Sequence, residues 1–178
     1  MKKIINKNLR LLIFIVIAVV LVSAFITYQQ KSTTAQHVGN DLKISLNYPK
    51  GWYIDDRYRS ILLTDYETNQ NKNDSPSPEQ MEIYISEFSN CFPTIEEDLK
   101  YPACGENKLD GPDEIVSKKT HKTLGGIFYK YVTKTPKGVE NVYYFVVNDD
   151  RILQISKEPD PSQHEKEFEE IVNSIKFL

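Results

Sequence analysis

At 178 residues, with 40 % hydrophobic and 26 % charged positions, the chain has the composition of one folding domain plus an appendage, not of a disordered segment. Charge is unevenly spread: Lys2, Lys3, Lys7, Arg10 and Lys31 precede residue 40, while the other seventeen of the 22 Lys and Arg and all 25 Asp and Glu follow it, leaving that part at −8. An acidic domain without a visible basic stripe interleaved with aromatics is a poor partner for phosphate backbones, so no nucleic acid is expected among its ligands.

The first predicted element is apolar. Residues 11–28 (LLIFIVIAVVLVSAFITY) carry no charge, and at about 1.5 Å rise per residue such a run nearly crosses a hydrocarbon core of about 30 Å. Four cations precede it and only Lys31 follows closely, so the positive-inside rule keeps 1–10 in the cytoplasm and sends the remainder across the plasma (inner) membrane. The alternative is a cleaved signal peptide and a secreted product, because Val22-Ser23-Ala24 and Thr33-Thr34-Ala35 both offer small residues at a cleavage-like spacing. The expectation is a single-pass signal-anchor with a ten-residue cytoplasmic tail, too short for a signalling module of its own. Residues 29–40 are polar and without periodicity, and read as a flexible stem before an extracytoplasmic domain at 41–178.

The domain opens with period-two alternation at Leu42, Ile44, Leu46 and Tyr48, ended by Pro49-Lys50-Gly51 and followed by Trp52, a core anchor. Short strands follow at 61–64 and 81–88, the latter with Met81, Ile83 and Ile85 on one face, separated by a solvated polar loop at 69–80. A small helix is the most that 94–99 can form. An antiparallel meander then runs through 114–122, 127–135, 141–147 and 151–156, turned at Gly125-Gly126 and at Pro136-Lys137-Gly138. A terminal helix begins at Asp160-Pro161 or at the capping box Ser162/Glu165, and Phe168, Ile171, Val172 and Ile175 form its apolar stripe. The fold class expected is α+β: one antiparallel sheet of six to seven strands with the C-terminal amphipathic helix on one face, plus the N-terminal membrane helix.

The opening Tyr48-Pro49-Lys50-Gly51-Trp52, the glycine-turned hairpin of aromatic strands and the closing Asn173-Ser174-Ile175-Lys176-Phe177 resemble the PsbP-like fold, shared by extrinsic photosystem II proteins and small bacterial envelope proteins. The resemblance spans 42–178 and implies architecture; relatives place a helix between the early strands and the meander, where this chain has a short, cysteine-bearing stretch. No photosystem role is implied, because a shared fold carries no shared chemistry.

Little in the sequence announces catalysis. Cys91 and Cys104 are the only cysteines, and after translocation they read as a disulfide, not as a zinc site or a C-x-x-C redox pair. His37, His121 and His164 read as exposed polar residues. Glu106, Lys108, Asp110 and Gly111 imitate the start of a calcium loop, but Lys108 stands where a ligand belongs. The acidic runs Asp55-Asp56, Glu96-Glu97-Asp98 and Asp149-Asp150 read as solvated surface. Tyr129, Tyr131, Tyr143 and Tyr144 read first as core, and otherwise as a binding surface. No cofactor or metal is expected. The function expected is a membrane-tethered binding or scaffolding module of the cell envelope, with another envelope protein as partner and no catalytic activity. The alternative is an enzyme subunit, or a small-molecule or lipid binder, built from scattered carboxylates and tyrosines.

Overall fold

The computed structural model describes residues 15–17, 19, 33–67, 77, 79–101, 111–149 and 151–178. The chain divides into two compact units, Met1–Ala35 and Gln36–Leu178. In the first, residues 15–17 and 19 are helical and exposed; the remainder of the expected membrane segment 11–28 lies outside the described residues. No helix among the described residues is long and apolar enough to cross a membrane.

The strands are β1 (Thr34–Gly39), β2 (Ile44–Pro49), β3 (Tyr53–Arg57), β4 (Ser60–Thr64), β5 (Glu82–Glu87), β6 (Glu114–Lys122), β7 (Ile127–Lys134), β8 (Glu140–Asn148), β9 (Arg151–Glu158) and β10 (Lys176–Phe177). The helices are α1 (Ile95–Lys100) and α2 (Glu165–Ser174). The strands fall into two sheets, where the sequence suggested one. A seven-stranded sheet runs β3-β4-β5-β9-β8-β7-β6, and a three-stranded sheet runs β1-β2-β10. All pairings in the larger sheet are antiparallel. Its two parts are each built from sequence neighbours, and the β5–β9 pairing joins them, with Ile85 opposite Ile155 and Ser86 opposite Gln154.

One face of this sheet forms the principal core. Ile61, Leu63, Ile83, Ile85, Leu153 and Ile155 point into it, and α2 supplies Phe168, Ile171 and Val172 from above. Ile44 and Leu46 of the small sheet, and Leu42 in the turn before it, complete it, each fully buried. The predicted helix stripe is therefore the buried one, but the helix begins later than either start signal suggested. His164 occupies the cap without a side-chain cap bond. Half of the expected capping box forms, since the Ser162 amide donates to Glu165 Oε1 at 2.9 Å. Ser174 fastens the far end, accepting from the Asn47 amide at 2.8 Å.

One further difference from the sequence reading is local. The second half of the expected stem, 34–39, is strand β1; its TAQHVG sequence shows no periodicity because main-chain pairing to β2 holds it, helped by His37 against Asp56 at 3.1 Å. The β6–β7 turn is glycine for a steric reason: a Cβ on Gly126 would sit 2.1 Å from the Val147 carbonyl oxygen. The short helix was foreseen, and Thr94 caps α1 by accepting from the Glu97 amide at 3.2 Å.

Phe168 is buried and meets Tyr144 edge-on at 5.0 Å between ring centroids. Replacing it with alanine removes the central ring of the helix–sheet contact, and Phe168→Ala is expected to cost about 3–5 kcal/mol in urea unfolding. A loss below about 1 kcal/mol would mean that α2 does not pack on the sheet.

Candidate functional site

Among the described residues, cover on the second face of the seven-stranded sheet extends over only half its width. On the β6-β7-β8 side, α1 lays Ile95 and Leu99 over Tyr131 and Phe145, with Phe88, Tyr129, Tyr143 and Ile152 around them. Glu96 of α1 accepts from the Tyr131 hydroxyl at 2.6 Å and from Lys118 at 2.6 Å. Lys118 also lies 4.8 Å from the Tyr129 ring centroid and 5.2 Å from that of Tyr131. Burial works to raise the Glu96 carboxyl, but the bonds from Lys118 and Tyr131 outweigh it and hold the group below the usual carboxylate range. Burial, then the bond to Glu96, pushes the Tyr131 phenol up to about 12.

The four tyrosines singled out in the sequence therefore do not make one exposed surface. Tyr131 and Tyr144 are 1 % and 3 % exposed and lie on opposite faces of the sheet. Tyr144 belongs to the principal core, where its hydroxyl donates to Asp160 at 2.9 Å. Tyr129 and Tyr143 are half-buried beside α1. Adjacent positions on a strand point to opposite faces, so Tyr143 and Tyr144 were bound to separate.

On the β3-β4-β5-β9 side no helix among the described residues lies over the same face. The register places Asp55, Leu62, Tyr84 and Ser156 in one row and Tyr53, Thr64, Glu82 and Glu158 in the next. Arg57, Leu62, Glu82, Tyr84, Ser156 and Glu158 line a half-open depression of about 510 Å³. Arg57 is paired with Asp55 at 2.7 Å, and the Tyr66 hydroxyl donates to Glu82. Burial and the Glu82 carboxylate together raise the Tyr66 phenol well above its ordinary value. Tyr53 and Tyr84 remain 47 % and 39 % exposed. The depression is shallow, with an aromatic and aliphatic floor and carboxylates at one rim.

Sequence reasoning passed over these residues, although a signal was present. If Ile61 and Leu63 face the core, Leu62 between them faces outward; if Ile83 and Ile85 do, Tyr84 does the same. An apolar residue at an outward phase is the mark of such a face.

Directly behind the depression, Lys157 turns to the opposite side, its side chain fully buried. It pairs with Asp160 at 3.2 Å and with Glu165, and lies 4.8 Å from the Phe168 ring centroid. Burial again opposes ionisation of Glu165, and the Lys157 bond and the Ser162 amide overcome it, lowering its pKa. The group fastens the start of α2 to the sheet. At the far edge, Glu87 is held low chiefly by its bond to Arg59, which outweighs burial, with Arg151 adding to it.

The histidines are engaged more than the sequence suggested. His37 meets Asp56 and His164 meets Asp65, each at 3.1 Å, and His121 meets Asn173 at 2.9 Å. Of the acidic runs, Asp98 is buried and accepts from the Cys91 amide at 2.8 Å. Cys91 carries no free thiol, whereas Cys104 and the calcium-like stretch 106–110 lie outside the described residues. Among the described residues no three of His, Cys, Asp or Glu gather as metal ligands.

No protein-family model and no curated protein matches this chain. A solution structure of cyanobacterial PsbP from Synechocystis is similar to it, with 12 % identity and a TM-score of 0.45, covering 82 % of this chain and 93 % of that one. A crystal structure from Bacteroides thetaiotaomicron is similar at 17 % identity and a TM-score of 0.36, covering 82 % of this chain and 49 % of that one. The first belongs by its title to the family that the sequence resembles. The likeness is one of fold.

Glu87, Glu96 and Glu165 all have folded-state pKa values below their ordinary 4.5. Their stabilising effect is present above that value and is lost as pH falls through the lowered ones. The urea midpoint is therefore expected to stay level from about pH 8 to 6 and to fall below about pH 4.5. A midpoint that rises on acidification would contradict these three ion pairs.

Proposed function

We propose that the domain is a non-catalytic binding module of the cell envelope, held at the membrane by the 11–28 segment and presenting its uncovered half-face to another envelope protein. The observation that carries the reading is the outward placement of Leu62, Tyr84 and Tyr53 on that half-face. Tyrosine offers a large contact area with a polar tip, and a shallow floor of this kind suits a protein surface better than an enclosed small molecule. Export of the domain rests on the basic residues ahead of the apolar run and fits the absence of a free thiol at Cys91. In this reading Cys91 is bridged to Cys104, closing a loop in the region of sparse regular structure and stabilising it by about 3 kcal/mol.

The enzymatic alternative has its best footing at Glu82 and Glu158, which oppose each other across β5 and β9 with Tyr66 on the first. Carboxylates brought together by the fold are the residue types that general acid–base chemistry uses. They stand, however, at the rim of an open depression and not in a closed cleft.

A photocrosslinking residue placed at Tyr84 in intact cells is expected to give a discrete adduct, and one at Tyr58, which is 83 % exposed in the β3–β4 turn, is expected to give none. Equal adducts from both positions, or none from Tyr84, would count against the half-face. Thiol labelling of denatured, unreduced protein is expected to find no reactive cysteine, and two would refute the bridge.

A further inference from the structure

The β6–β7 hairpin departs from the charge of everything around it. The two strands carry Lys118, Lys119, Lys122, Lys130 and Lys134 against one carboxylate, Glu114, in a domain whose residues beyond 40 sum to −8. The basic stripe that linear reading did not find is created by pairing: the register sets Lys119 opposite Lys130 and Lys118 opposite Tyr131. Among the described residues no carboxylate forms an ion pair with Lys119, Lys122 or Lys134; Lys118 is taken by Glu96.

β6 is also the end of the seven-stranded order and pairs with β7 alone. It is nine residues long and exposed at every position but Ile115. A bulge separates Ile115 from Ser117, after which Ser117 to Lys122 pair without interruption. Along that stretch alternate N–H and C=O groups point away from β7, and no main-chain bond from another described element reaches them. The opposite edge, β3, has five residues, and β1 approaches it through the His37–Asp56 pair. Among the described residues the sheet therefore has one long open edge, and it is the basic one.

Lysines on an edge strand commonly serve to keep copies of a protein apart. That accounts for Lys118, Lys119 and Lys122. Lys130 and Lys134 lie on the interior strand, where Lys134 stands between Glu114 and Glu140 in the register and Lys130 acts on Glu165, so the unshared charge of the hairpin is that of Lys119 and Lys122 at the edge. A second copy is a poor occupant, because antiparallel β6–β6 pairing centred on Thr120 would set Lys118 against Lys122 and pairing centred on Lys119 would set that lysine against its own copy, and like charges directly opposite destabilise a sheet. A flat membrane surface or a bulk polyanion would use the charge but leave the open main chain unpaired.

We infer that the β6 edge receives an extended segment of another protein, bearing Asp or Glu on both faces, as an eighth strand of the sheet. Main-chain bonds along Ser117–Lys122 supply the affinity, and the lysines select the acidic sequence. This surface is separate from the Tyr84 half-face, and neither reading depends on the other.

The test is hydrogen–deuterium exchange on the full chain in non-ionic detergent, with an eight-residue peptide of repeating Glu-Glu-Thr-Thr, which presents Glu on both faces of a strand, as probe. Slowed exchange confined to β6 is expected with this peptide and not with its Lys–Thr counterpart. In the doubly reversed Lys119→Glu/Lys122→Glu variant the acidic peptide is expected to bind roughly tenfold more weakly and the Lys–Thr peptide to bind in its place. Three results would overturn the inference: no protection at β6, equal protection by both peptides, or the same protection by polyphosphate of matched charge. The last would make the hairpin a plain anion-binding surface.

Discussion

The pairing of β5 with β9 is the constraint on which the molecule depends. The strands before Cys91 reach the larger sheet as the run β3-β4-β5, and those after Asp113 reach it as the run β6-β7-β8-β9. Each run can form from sequence neighbours. Only the contact of Glu82–Glu87 with Leu153–Glu158, strands some seventy positions apart in sequence, makes them one surface. Its register also fixes orientation. With Ile85 opposite Ile155, the inward residues of both runs share a face, and α2 and β2 can close over them as a single core. A slip of one residue would turn Tyr84 inward and Ile83 and Ile85 out.

The two covers of the sheet follow from this arrangement. α2 spans the principal core and is held at its start by Lys157 and at its end by Ser174. Arg151, on the same β9 strand, reaches the Leu42 and Lys43 carbonyls and so fastens the small sheet to the large one. Among the described residues the second face has only the six residues of α1, enough for the β6-β7-β8 half and no more. Its open remainder is thus a consequence of unequal cover on two faces of equal width. In this account the functional surfaces are what the covers leave: a half-face with outward tyrosine and leucine, and a basic edge.

Much of this was legible in the sequence and some was not, for identifiable reasons. Period-two alternation marked β2 and β5; the 3.6-residue stripe of Phe168, Ile171, Val172 and Ile175 marked α2; and Gly125-Gly126 marked the β6–β7 turn. β1 and β3 were invisible, because TAQHVG and YIDDR carry almost no apolar residues and are held by main-chain pairing. The assignment of Ile44 and Leu46 to a separate sheet was also hidden, since an alternating strand looks the same whichever neighbours it takes. The candidate site was missed through attention to tyrosine density. Tyr129, Tyr131, Tyr143 and Tyr144 are dense because they pack, whereas Tyr84 stands alone between two isoleucines and faces out. The lysines of β6 and β7 become one patch only after the hairpin closes, which no linear scan sees.

The central claim is the register that joins the two runs. Backbone nuclear Overhauser contacts on the isotope-labelled protein test it directly. The account predicts contacts from Ile85 to Ile155 and from Ser86 to Gln154, with none from Ile85 to Gln154 or Ser156 as direct partners. A register displaced by one residue, or β9 paired with a strand other than β5 and β8, would contradict it. Either result would remove both the shared core and the open half-face.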